Sequence, residues 1–110
     1  MAHPDLFEEG LIFFHSGKYY EAHEVWEDLW RITNGPARTF YQGLIQAAVA
    51  LHHLERGNST GARGQLAKSI QHLLNSSANP QSIDTMDLIR QLREIQDQMQ
   101  LQTVRITRLK

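Results

Sequence analysis

An all-α fold is what this sequence predicts: a compact bundle of about five helices, built from two antiparallel helical hairpins plus a C-terminal helix. Three observations carry that expectation. Apolar residues recur at helical spacing through most of the chain, turn residues interrupt the pattern at four places, and one helix-turn-helix pattern occurs twice at an offset of forty residues. The chain has 110 residues and is 41% apolar, which suits one domain with a modest core. Residues 1–101 are expected to form that domain, with 102–110 as a tail.

In the first helix Phe7, Leu11 and Phe14 recur at i, i+4, i+7. Pro4 sits where a first turn tolerates it, Asp5, Glu8 and Glu9 suit the helix dipole there, and Gly17 ends the helix. The second helix runs from about Tyr19 to Ile32 on an Ala22, Trp26, Leu29 stripe. Asn34-Gly35-Pro36 closes it and opens the third, from about Pro36 to Glu55. Phe40, Leu44, Ala47, Ala48 and Leu51 give that third helix a wide apolar face, so it is expected at the centre. Gly57-Asn58-Ser59-Thr60 is a turn rich in N-cap residues, and Ala62, Leu66, Ile70 and Leu73 make the fourth helix. Residues 75–81, NSSANPQ, read as a loop before a fifth helix starting at Ser82 or Asp84. Its Leu88, Leu92, Ile95 and Met99 are spaced like a short coiled-coil seam, suited to the bundle or to a partner.

The closing TVRITRLK alternates apolar and polar residues, which is strand-like. A frayed tail and pairing across a homodimer are the two readings it allows, and the seam of the fifth helix offers a second dimer surface. The internal echo sets Gly17, Ala22 and Trp26 against Gly57, Ala62 and Leu66: a turn glycine, a small residue for close helix approach, then a large apolar one. Two copies fall short of a solenoid, so the echo speaks to architecture alone.

Composition narrows the function. The absence of cysteine excludes disulfides and thiolate metal sites. The first residues, MAHPDLFEEGL, carry acids where a secretory leader carries bases, and no apolar run is long enough to span a bilayer, so a cytoplasmic location without membrane attachment is expected. Residues 1–35 hold seven acids against two bases and the remainder has the opposite balance. Nucleic acid would want a contiguous basic stripe, so it is not an expected partner.

The densest chemistry lies in EAHEVWEDLWR, residues 21–31. His23, Glu27 and Trp30 share one helical face, and Glu24 and Asp28 form a second acidic file. The His-Glu-x-x-Glu pattern lacks the second imidazole of a zinc protease. A looser metal set is conceivable from His23, Glu27 and one of His52 and His53, here His53. Glu27 near the core would need a partner, and Arg38 at the start of the third helix is the expected one. Tyr41, Gln42 and Gln46 would complete a hydrogen-bonded network or line a cleft. Trp26 is expected in the core, whereas Trp30 at the helix end could wall a cleft with its indole N–H available. GNSTGARG lacks the lysine and the preceding strand of a phosphate-binding loop, and no serine nucleophile elbow is present.

EAHEVWEDLWR, RTFYQGLIQAAVALHH and RGNSTGARGQL, in that order, resemble the small helical family catalogued as domain of unknown function 309, over about residues 8–75. The resemblance implies an all-helical prokaryotic or plastid domain with no established reaction. It places the family's pattern on His23, Glu24, Glu27 and Trp30, on Arg38, Gly43, Leu44, Gln46 and Ala48, and on Gly57, Asn58, Gly61 and Ala62. Members often carry an aliphatic residue at Trp26, which makes that ring a packing group here.

Three functional readings follow. In the first, a pocket between helices two and three binds a small ligand that Arg38 would make anionic. His23 serves there as acid or base, Glu27 orients it, and Glu24, Trp30, Arg38, Tyr41, Gln42, Gln46 and His53 supply contacts. In the second, the same groups only lock two helices of a structural or interaction module. The third is a metal-dependent hydrolase. No cofactor is specified by any of them.

Overall fold

The computed structural model describes residues 5–110, and the Pro4 expectation lies outside that span. Five helices follow one another: α1 Leu6–His15, α2 Tyr19–Arg31, α3 Ala37–Glu55, α4 Ser59–Asn75 and α5 Thr85–Gln98. Each packs on the next, in the order α1, α2, α3, α4, α5. The result is an all-α bundle of two antiparallel hairpins, α1–α2 and α3–α4, extended by α5.

The two hairpins are closed by the same device. Gly17 and Gly57 both sit at φ +77°, the left-handed region where a side chain is strained. In the first turn Lys18 N–H donates to Phe13 O at 2.9 Å and Gly17 N–H to Phe14 O at 3.2 Å. In the second, Asn58 N–H donates to His53 O at 2.7 Å and Gly57 N–H to Leu54 O at 3.0 Å. These paired six-to-one and five-to-two bonds satisfy carbonyls that a helix end would otherwise leave bare. The starts of the second arms differ: Asn58 accepts from Gly61 N–H at 2.9 Å, while Lys18 gives α2 no side-chain cap.

Beyond each turn the echo continues into the core, where Ala22, Ala62, Trp26 and Leu66 are all fully buried. Trp26 stacks on Phe7 with ring centroids 6.1 Å apart and donates its indole N–H to Phe7 O at 3.2 Å. Gly10 makes room for it, since a Cβ there would lie 2.2 Å from Trp26 Nε1. On α3, Leu44, Ala47, Ala48, Ala50 and Leu51 are fully buried, as expected of the central helix. Gly43 lets α4 approach, and Ser69 Oγ donates to its carbonyl at 2.6 Å. Phe40, Leu11, Phe14, Ile70 and Leu73 complete the predicted stripes.

The C-terminal segment has a neighbour that the sequence reading missed. Ile83 and Arg108 form a single antiparallel bridge, flanked by Asp84 N–H to Thr107 O at 2.7 Å and Leu109 N–H to Ser82 O at 2.8 Å. Val104 and Ile106 face inward and are buried, whereas Leu109 is exposed. The segment is therefore not frayed: it is docked on its own chain. The α5 seam is likewise engaged, with Leu88, Ile89, Leu92 and Ile95 in the core and Met99 turned out of the helix in a left-handed cap. Among the described residues no helix is long and apolar enough to cross a membrane.

Candidate functional site in the groove between α2 and α3

The face of α2 beside the core stripe carries a row of polar side chains one turn apart. His23 Nε2 lies 2.6 Å from Glu27 Oε1, and Arg31 reaches Glu27 Oε2 at 3.3 Å and Asp28 Oδ1 at 2.8 Å. The spacing i, i+4, i+8 puts these groups in reach of one another on a single helix. His23 Nδ1 meets Tyr20 O at 2.9 Å. A carbonyl and a carboxylate both only accept, so each ring nitrogen is engaged as a donor, Nδ1 to Tyr20 O and Nε2 to Glu27, and neither is left free for chemistry.

Three adjoining hollows follow this row. One, of about 200 Å³, is walled by Tyr20, His23, Val49, His52 and His53. Tyr20 stands with ring centroids 5.2 Å from His23 and 5.4 Å from His52. A second, of about 190 Å³, is formed by Glu27 and Trp30 of α2 with Gln42, Ile45 and Gln46 of α3. The third is the outer rim, where Tyr20, His23, Glu24, Glu27, Asp28 and Arg31 meet solvent.

The hollow beside Trp30 is rich in donors. Gln46 accepts from His72 Nδ1 at 2.6 Å, which ties α3 to α4 and leaves the Gln46 amide nitrogen without a partner among the described residues. Arg38 stands over the Trp30 ring, its guanidinium carbon 3.8 Å from the centroid, a favourable cation–π placement. Trp30 Nε1 is, among the described residues, the one buried side-chain nitrogen or oxygen with no hydrogen-bond partner. Such a donor costs free energy until something accepts from it.

Several expectations are corrected here. Arg38 is not the partner of Glu27: Glu27 is served from within α2 by His23 and Arg31, and the Arg38 guanidinium sits over the indole face instead. Tyr41 is buried and its hydroxyl accepts from Gln81 Nε2 at 2.9 Å, which takes it to the loop before α5 and out of the groove. The interhelical network expected through Glu27 is not built, since its ion pairs stay on one helix. His53 stands 3.2 Å from Asn58 Nδ2 and joins the Tyr20 hollow, on the far side of His23 from Trp30. His23, Glu27 and His53 are not gathered as ligands: among the described residues no three His, Asp or Glu side chains are grouped to hold a metal ion. The Trp30 indole N–H is unpartnered as expected, but buried. Gln42, Gln46, Glu27 and Trp30 do come together, and Glu24 lies on the rim. Tyr20 and His72 were missed, although Tyr20 stands three residues before His23 on the same face.

Matched against known families, residues 7–76 fit the one described as Domain of unknown function (DUF309), most of the chain, from the second residue of α1 through α4. The chain belongs to this family. DUF309 thus accounts for both hairpins and the groove between them, while α5 and the docked C-terminal segment lie beyond the matched span. An uncharacterised protein of Aquifex aeolicus is 28% identical over 92 residues, covering 83% of this chain and 28% of that relative. The uncharacterised protein YpuF of Bacillus subtilis is 37% identical over 73 residues, covering 64% of this chain and 42% of its own length. The chain therefore spans less than half the length of these two relatives.

Proposed function

We propose that the groove between α2 and α3 is a binding site for a small ligand bearing a carboxylate or a similar acceptor, in a cytoplasmic protein. The carrying observation is the buried indole N–H of Trp30, a donor without an acceptor, on a residue that walls a hollow together with Glu27 and the amides of Gln42 and Gln46. Arg38, stacked on the same indole and with no ion-pair partner among the described residues, supplies the positive charge that makes an anion the fitting occupant. Binding is favoured over acid–base catalysis, because both ring nitrogens of His23 are engaged, by Tyr20 O and by Glu27, and a reacting group would have to displace one of them.

The alternative, a purely structural lock between helices, is not favoured by the ion pairs, which link α2 only to itself. The two tryptophans provide the test. In a 15N–1H correlation spectrum their indole signals are separate reporters, and that of Trp26, bonded to Phe7 O, is the internal reference. Titration with acetate, succinate and citrate is expected to move the Trp30 indole signal saturably with at least one of them, to leave Trp26 in place, and to be weakened at least tenfold by Arg38→Ala. A Trp30 signal unmoved by all three, or moving together with Trp26, contradicts the proposal.

A further inference from the structure

We propose that the C-terminal segment is an acid-released strap: the neutral imidazole of His15 accepts the Ile106 N–H, and protonation of that ring loosens residues 104–108 from the bundle. His15 is the last residue of α1, and its Nε2 lies 3.0 Å from Ile106 N. A backbone N–H only donates, so the ring can receive it only through an unprotonated nitrogen. Adding a proton to Nε2 sets two donors against each other inside a contact that also buries Val104 and Ile106. The seat around this contact is built from side chains as well as backbone. Gln91 of α5 clasps Arg105 on both sides, donating to its carbonyl at 2.8 Å and accepting from its N–H at 2.9 Å. Arg108 pairs with Glu8 of α1 and lies over the Phe7 ring, 5.3 Å from its centroid.

The electrostatics point the same way. The strap contributes Arg105 and Arg108, α1 contributes Glu8, and α5 contributes Asp87. Glu8 is taken by Arg108, and Asp87 by Arg90 and Gln91, so Arg105 is the charge that bears on the ring. Burial first, and Arg105 second, hold the His15 pKa below its ordinary value of 6.5. A histidine lowered in the docked state binds its proton more readily when undocked. The docked state is therefore fully favoured above about pH 6.5 and progressively lost as pH falls below it. The strap lies outside the matched residues 7–76 and crosses back to α1, so its release uncovers part of the first helix of the family unit while leaving the groove untouched.

Native-state hydrogen exchange of the full chain tests this, with the Leu44 amide of α3 as reference and rates corrected for intrinsic exchange. Between pH 7.5 and 5.5 the opening constant read at Ile106 is expected to rise as pH falls below about 6.5, by at most about tenfold per unit, and to stay far larger than that at Leu44, which reports opening of the whole bundle. His15→Gln, which keeps an acceptor but cannot titrate, is expected to flatten the Ile106 profile. Should that variant not fold, direct titration of the His15 ring in the unsubstituted chain stands in its place: it should titrate below 6.5, and move back toward 6.5 in Gln91→Ala. A level Ile106 profile in the unsubstituted chain, the same slope in His15→Gln, or a His15 ring titrating at or above 6.5 overturns the proposal.

Discussion

The two tryptophans, four residues apart on α2, show how neighbouring positions take opposite duties. Trp26 faces inward, is fully buried, and spends its N–H on Phe7 O, so its duty is packing. Trp26→Ala is expected to cost about 3–5 kcal/mol in urea unfolding, the usual range for truncating a buried aromatic side chain. Gly10→Ala should be nearly as disruptive, because the added methyl would have to enter the volume of that indole ring. Trp30 carries its donor unspent, and Trp30→Phe is expected to leave stability almost unchanged while abolishing the response to added carboxylates. The assignment of Trp26 to the core was legible from its place in the Ala22, Trp26, Leu29 stripe. The partner of Glu27 was equally legible and was misread: His23, Glu27 and Arg31 stand at i, i+4, i+8 in the sequence. Side chains already adjacent on one helix lose less freedom on pairing than Arg38 would, arriving from another helix.

At the scale of the element, the repeat is a matter of helix ends. Both hairpin turns use a left-handed glycine and the same pair of backbone bonds, and neither glycine has an atom within 4 Å of where a Cβ would stand. Gly17→Ala and Gly57→Ala should therefore each cost about 1–2 kcal/mol through backbone strain alone, with no cavity or clash. The two sites serve separate hairpins, so their effects on the urea midpoint should add to within about 0.5 kcal/mol. A markedly larger loss for either would mean that the turn carries packing not visible there. These turns could be read from the sequence because a glycine that interrupts a helical stripe has a local meaning. The seat of the C-terminal segment could not. Its partners Ser82, Ile83, Gln91 and His15 lie at separations that no local pattern encodes, and one bridge between short segments leaves no periodic trace.

For the whole molecule, five helices in sequential contact form a row, and the strap returns from the end of the row to its beginning. Helical periodicity, the turn residues and the internal echo foretold the five helices, the two hairpins and the central place of α3. The groove was foretold only as a set of residue types on facing helices. Its geometry depends on how closely α2 and α3 approach and on which groups Glu27 and Arg38 choose, and spacing does not determine either. The strap also makes the stability of the whole depend on acidity. With the His15 pKa lowered in the folded state, melting temperature should be level above about pH 6.5 and fall as the medium is acidified, and His15→Gln should remove the first part of that fall.

The polar row of α2 is free of structural duty, and urea unfolding of Glu27→Gln at neutral pH tests this most directly. A half-exposed carboxylate paired only along its own helix should yield a loss below about 1 kcal/mol. A loss of about 3 kcal/mol or more, the size expected when a buried ion pair is broken, would contradict it and return these residues to the role of a lock between helices.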